Sequence, residues 1–139
     1  MIGLMAALAS AALPQQFDLD CKGTLNAAPN AMARGGYSNS WTGHFRMDLT
    51  AKTWCEADCR SVSSIEMIDN AQIVIRNDRP EPGMVWVIRL DRNTGEYFER
   101  NTLLAENAYN IDGRCHRLSF SKFPEPQPDP AARPPVGGQ

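Results

Sequence analysis

Along Phe17-Asp-Leu-Asp-Cys-Lys-Gly23, apolar and polar side chains alternate without a break. Phe17, Leu19 and Cys21 fall on one face; Asp18, Asp20 and Lys22 fall on the other. A period of two belongs to a half-buried β-strand. The pattern returns in His44-Phe-Arg-Met-Asp-Leu49, with Phe45, Met47 and Leu49 inward, and most clearly from Met84 to Asp91, where Met84, Trp86, Ile88 and Leu90 share a face. Val62 to Ile68 and Ala71 to Arg76 read as a hairpin around Asp69-Asn70, residues that tolerate the left-handed backbone of a tight turn. Asp91-Arg-Asn-Thr-Gly95 is a hairpin loop with a glycine free to take positive φ, and it leads into a strand over Glu96 to Arg100. His116 to Phe120 ends the series, with Leu118 and Phe120 expected inward.

The intervening stretches lack a period. Residues 26–40 are rich in Ala, Asn, Gly and Ser and read as a long loop. Trp54 to Cys59 reads as a tight turn, and Arg79-Pro-Glu-Pro-Gly83 as a break. Residues 101–114 fit either one helical turn capped by Thr102 or an irregular strand. From Phe123 onward the chain holds six of its ten prolines, so 123–139 reads as a disordered, proline-rich tail. Many short strands without a helix of useful length predict an all-β fold: one disulfide-bonded domain over 16–122, a small antiparallel β-barrel or sandwich of about seven strands.

The first twelve residues are uncharged, mostly apolar and end in a small-x-small pattern, so 1–12 reads as a signal peptide, although no Lys or Arg precedes the apolar run. The run is shorter than the ~20 residues that span a bilayer, and the expected location is periplasmic or secreted. Four cysteines in a short exported chain read as a disulfide framework with three possible pairings. Closing the sheet sets the first strand beside the last, which favours Cys21 with Cys115 and leaves Cys55 with Cys59. Cys21 is inward, however, and counting back from Leu118 and Phe120 turns Cys115 outward. The pairing then calls for a bulge near Arg117 or a strand that starts after Cys115. Zinc is the rival use of Cys55-x-x-x-Cys59 and His116, weakened because the other two cysteines lie at opposite ends of the domain.

Net charge is −2, from 14 basic and 16 acidic residues, which argues against nucleic acid or an anionic membrane surface as a partner. No catalytic, cofactor-binding or metal-ligating motif is present. His44 alternates outward beside Arg46 and Asp48 and reads as a solvated strand residue. Asp18 and Asp20, about 7 Å apart on one strand face, read as a solubility stripe. Glu56 and Asp58 between Cys55 and Cys59 would raise a thiol pKa, which favours a structural clasp over a redox site. The aromatic residues Tyr37, Trp41, Trp54, Trp86, Tyr97 and Tyr109 are the best binding candidates. Tyr37 and Trp41, in or beside the long loop, suit a lid or a partner contact.

Phe17-x-Leu-x-Cys21-x-Gly23, Asp48-Leu49, Trp54-Cys55-x-x-x-Cys59 and Arg92-x-Thr94-Gly95, in that order, resemble a group of small exported alphaproteobacterial proteins of unknown function. The resemblance covers most of the domain but not the tail. It implies export and a β domain and carries over no catalytic residue. The leading expectation is a non-enzymatic binding module that contacts an unknown protein or envelope component through 26–41. Three alternatives stand beside it: a small-ligand-carrying β-barrel, favoured by a cavity beside Trp86; a protease inhibitor, favoured by a projecting loop at 54–60; and an enzyme of unfamiliar type, favoured by His44 or His116 meeting a carboxylate in a cleft.

Overall fold

The computed structural model describes residues 14–27, 36–104 and 106–125. The signal-peptide reading of 1–12, the centre of the 26–40 loop and most of the 123–139 tail lie outside these residues. Within them the chain forms nine strands and no helix: β1 (Gln16–Ala27), β2 (Tyr37–Asp48), β3 (Thr53–Glu56), β4 (Ser63–Ser64), β5 (Met67–Ile68), β6 (Gln72–Asp78), β7 (Met84–Asp91), β8 (Glu96–Leu103) and β9 (Glu106–Leu118). All pairings are antiparallel, in the order β4-β3-β2-β1-β9-β8-β7-β6-β5.

The fold is all-β, but nine strands replace the expected seven or so. The segment read as one strand from Val62 to Ile68 is divided between β4 and β5, and 101–114 supplies the end of β8 and most of β9. Tyr37 to Ser40, expected in the loop, belong to β2. Small polar residues carry no inward apolar row, yet pairing with Thr24 to Ala27 satisfies their backbone.

The strand order explains the curl of the sheet. β4 and β5 lie at opposite ends of the order but are separated along the chain only by Ile65 and Glu66. Three peptide steps reach ~10 Å at most, so the two sheet edges must meet there. Ile65 N donates to Lys52 O and Glu66 N to Val74 O, which ties this single segment to both edges. The result is barrel-like, with Phe17, Leu19, Phe45, Met47, Ile73, Ile75, Ile88 and Leu90 filling the interior.

Cys21 and Cys115 lie directly opposite each other on β1 and β9 and are joined by a disulfide; a second joins Cys55 to Cys59. Two pairs further along, Gly23 faces Gly113, and a Cβ on Gly23 would stand 2.1 Å from Asp112 O. Only glycine allows the two backbones to come so close at this bend of the wall.

The inward assignment of Leu118 and Phe120 is incorrect, and the bulge it called for is absent, because β1 and β9 pair without a register shift. Arg117 shares the inner face with Cys115, its guanidinium 4.8 Å from the centre of the Phe17 ring, while Leu118 turns outward and is exposed. A long aliphatic stem can line an apolar interior while its charge reaches the rim, which alternation by residue type does not reveal.

The outer face holds a second surprise. Asp18 is buried rather than part of a solvated stripe, because the chain after β9 folds back over it. Ser121 donates to Asp18 from Oγ (2.6 Å) and from its backbone N (3.2 Å), and Arg46 donates to Lys122 O (2.6 Å). Ending the chain after Leu118 is therefore expected to cost ~1–3 kcal/mol, the net worth of two hydrogen bonds to a charged carboxylate that water would then solvate. Ending it after Glu125 is expected to change stability by ~0.5 kcal/mol or less. Urea midpoints of the two truncations test this; equal losses would mean that the 119–125 segment does not stabilise the sheet.

Candidate functional site

At the end of the barrel farthest from Phe17 and Arg117 the interior is not filled. A cavity of about 330 Å³ opens among residues of seven strands, including Leu25, Trp41, Trp54, Trp86, Tyr97, Tyr109 and Ile111. Its aromatic wall is assembled from strands far apart in sequence. Tyr97 of β8 lies between Trp41 and Phe45 of β2, with ring centroids 4.8 and 5.5 Å away, and Trp54 of β3 approaches Phe45 at 6.1 Å. Gly43 makes room for Trp41: a Cβ there would lie 2.6 Å from the indole ring.

Glu99 is the polar centre of the cavity. Alternation along β8 turns Tyr97, Glu99 and Asn101 inward, and Glu99 is buried. Its Oε1 accepts from Trp86 Nε1 (2.9 Å) and Tyr109 Oη (2.9 Å), and its Oε2 accepts from Tyr97 Oη (2.6 Å). All three donors are neutral, and Glu99 makes no ion pair among the described residues. Burial and the Glu99 charge push the Tyr97 and Tyr109 hydroxyls well above the usual phenol range, so both stay protonated and keep donating.

A second carboxylate, Glu56 at the end of β3, lines the mouth of the cavity. Partial burial, and then the charge of Glu99, push its pKa upward. Arg76 reaches the cavity because of a register shift in β6 between Val74 and Arg76, which lets both Ile75 and Arg76 face inward. The Arg76 guanidinium lies 3.7 Å from the Trp86 ring centre, and its Nε donates to both oxygens of Asp78 at 2.9 Å. Trp54 Nε1 is buried and has no hydrogen-bond partner among the described residues.

A wider depression of about 680 Å³ adjoins the cavity and shares Trp54, Glu56 and Arg76 with it. The exposed turn closed by Cys55–Cys59 forms one side. Ala57 and Cys59 in this turn have φ of 51° and 55°, so the loop is curled and not extended. It frames the mouth of the cavity.

Of the aromatic residues singled out from the sequence, the structure brings Trp41, Trp54, Trp86, Tyr97 and Tyr109 together at this cavity; Tyr37 lies apart, 52% exposed. Glu99 and Arg76 were missed, and Glu56 was weighed only as a neighbour of thiols. His44 is not simply solvated: its Nδ1 is 2.9 Å from Asp20 Oδ1 and its Nε2 is 3.2 Å from Asp18 Oδ2. This cluster sits on the outer face and lines neither the cavity nor the depression. Among the described residues no group of three His, Cys, Asp or Glu is placed to hold a metal ion, and no helix is long and apolar enough to cross a membrane. Comparison with protein-family models, with curated proteins and with solved structures found no match.

Proposed function

We propose that this chain is a small-ligand-carrying β-barrel that works outside the cytoplasm as a binding protein. One observation carries the reading: the barrel end beside Trp86 is hollow, aromatic-lined and organised around a few convergent polar groups. Binding sites combine apolar walls with a small number of fixed polar contacts in this way, and a volume of this order suits a compact molecule. Two disulfides support an oxidising compartment, in keeping with the export implied by the resemblance of the sequence.

The other readings gain less support. The curled turn at 57–59 lacks the extended backbone with which a peptide segment adds to a neighbouring chain. His44 meets two carboxylates but does so on the outer face of the sheet instead of in a cleft. Tyr37 remains the described side chain best placed for a partner contact beside the long loop.

Intrinsic tryptophan fluorescence provides the test, because all three tryptophans line the cavity. Indole or 2-naphthol, neutral and compact, is expected to perturb emission saturably, with a dissociation constant in the micromolar to millimolar range. Leu25→Trp, which places bulk in the cavity, is expected to weaken binding about tenfold or more while leaving the far-ultraviolet spectrum unchanged. A linear, unsaturable response, or equal binding by the Leu25→Trp protein, would overturn the reading.

A further inference from the structure

We infer that the cavity selects an organic cation: a compact molecule with an aromatic or aliphatic body and an ammonium head group seated between Glu99 and Glu56. The inference rests on the ligand-carrying reading and adds the charge of the ligand to it.

Three features of the lining point the same way. First, the charge is unbalanced. Glu56 and Glu99 both line the cavity, and its one basic residue, Arg76, is already engaged with Asp78. The partners of Glu99 are hydrogen-bond donors without charge, so its negative charge is held in place but not neutralised. An anionic ligand would meet two carboxylates, and a purely apolar one would strip water from them without replacing it. A cation satisfies both. Second, the walls present π faces, which attract cations electrostatically, most strongly when water is excluded. The protein already uses this attraction, since the Arg76 guanidinium sits on the Trp86 ring in the same cavity. Third, the two ends differ in charge: Arg92 and Arg117 outnumber Asp91 in the depression at the opposite end, whereas Glu56 and Glu99 outnumber Arg76 here. The unpartnered Trp54 Nε1 adds a donor, suited to an oxygen acceptor on the body of the ligand. The pKa of Glu56 is raised first by partial burial and then by the charge of Glu99, and a cation between the two carboxylates would relieve the second of these.

A matched series separates charge from shape. Calorimetric titration of the full oxidised chain at neutral pH would use 2-phenylethylamine, 2-phenylethanol and 3-phenylpropionate, which share a ring and differ in charge. The amine is expected to bind at least ~10-fold tighter than the alcohol, with the carboxylate weakest. Glu99→Gln and, independently, Glu56→Gln at the exposed mouth are expected to reduce the amine-to-alcohol ratio to ~3-fold or less. The two variants guard against a folding defect in either one. Equal binding of amine and alcohol would overturn the cation inference and leave the ligand-carrying reading standing. Tightest binding of the carboxylate would overturn it in favour of Arg76 as the selecting group. No saturable binding of any of the three would count against both.

Discussion

Replacing Cys21 and Cys115 together by alanine is expected to lower the free energy of unfolding by ~2–5 kcal/mol and to cost more than replacing Cys55 and Cys59. The two bridges differ in what they do to the unfolded chain. Cys21 and Cys115 are 94 residues apart in sequence, Cys55 and Cys59 only four. In the chain-entropy account, closing the long loop is worth about 4–5 kcal/mol and closing the short one about 2. The long bridge also lies in the barrel wall itself, two pairs from the Gly23–Gly113 pair that leaves no room for a Cβ. A domain of this size has a net stability of about 5–15 kcal/mol, so the loss is a large share of the total. Urea unfolding of the two double variants, with peptide mapping to confirm the remaining bridge, measures the difference. A costlier short bridge would mean that the turn after Trp54 organises the fold and that closure of β1 on β9 is secondary.

Much of the fold was legible because strands with one face in a core write that face into every second residue. Met84 to Asp91 is the plainest case: its predicted bounds and those of β7 coincide, since four large apolar residues mark the inner row and two flanking breaks mark its ends. Legibility failed where the inner row is not apolar. β2 begins with Tyr-Ser-Asn-Ser and β9 with Glu-Asn-Ala-Tyr-Asn, so their first halves are held by neighbouring backbones and not by a hydrophobic stripe. Arg117 and Leu118 mislead in the opposite sense, the charged residue facing in and the apolar one out. The split of 62–68 into two edge strands is a property of barrel closure, and no local pattern encodes it.

The cavity was half legible. Aromatic residues draw attention by type, and five of the six singled out line it, but which faces meet depends on pairings between strands up to ninety residues apart. Glu99 carried a usable signal: in Glu96 to Arg100 an inward Tyr97 places Glu99 on the same face two residues on. A carboxylate in an inner row needs partners, and this alone marks a polar site inside the barrel. Arg76 had no such signal, because the register shift in β6 that turns it inward is invisible in a run of Ile-Val-Ile-Arg. Asp18 looked solvated because alternation tells which face a residue is on, not whether a later segment covers that face.

Glu99→Leu is expected to destabilise the protein by ~2–4 kcal/mol, whereas Glu99→Gln is expected to cost ~1 kcal/mol or less. Leucine removes the acceptor that three donors share, leaving Trp86 Nε1, Tyr97 Oη and Tyr109 Oη to find other partners. A donor left unsatisfied in the interior costs ~1–3 kcal/mol, and water entering the cavity offsets part of that sum. Glutamine keeps an oxygen where Oε1 receives Trp86 and Tyr109, and its amide can donate to Tyr97 once that hydroxyl reverses its role. If the orphaned donors are the cause, combining Glu99→Leu with Tyr97→Phe and Tyr109→Phe should cost less than the sum of the separate changes, because two of the orphaned groups are gone. Alkaline titration provides an independent check. Both phenols are raised by burial and then by Glu99, so the stabilisation they contribute is fully present below ~10, the unfolded phenol value, and is lost as pH rises above it. Phenolate absorbance of Tyr97 and Tyr109 in the native protein should therefore appear only together with the loss of β structure. A Glu99→Gln protein as unstable as Glu99→Leu would place the stabilisation in the carboxylate charge itself, through Arg76. Phenolate formation at ordinary pH in a folded barrel would mean that the three donors are not held by Glu99 at all.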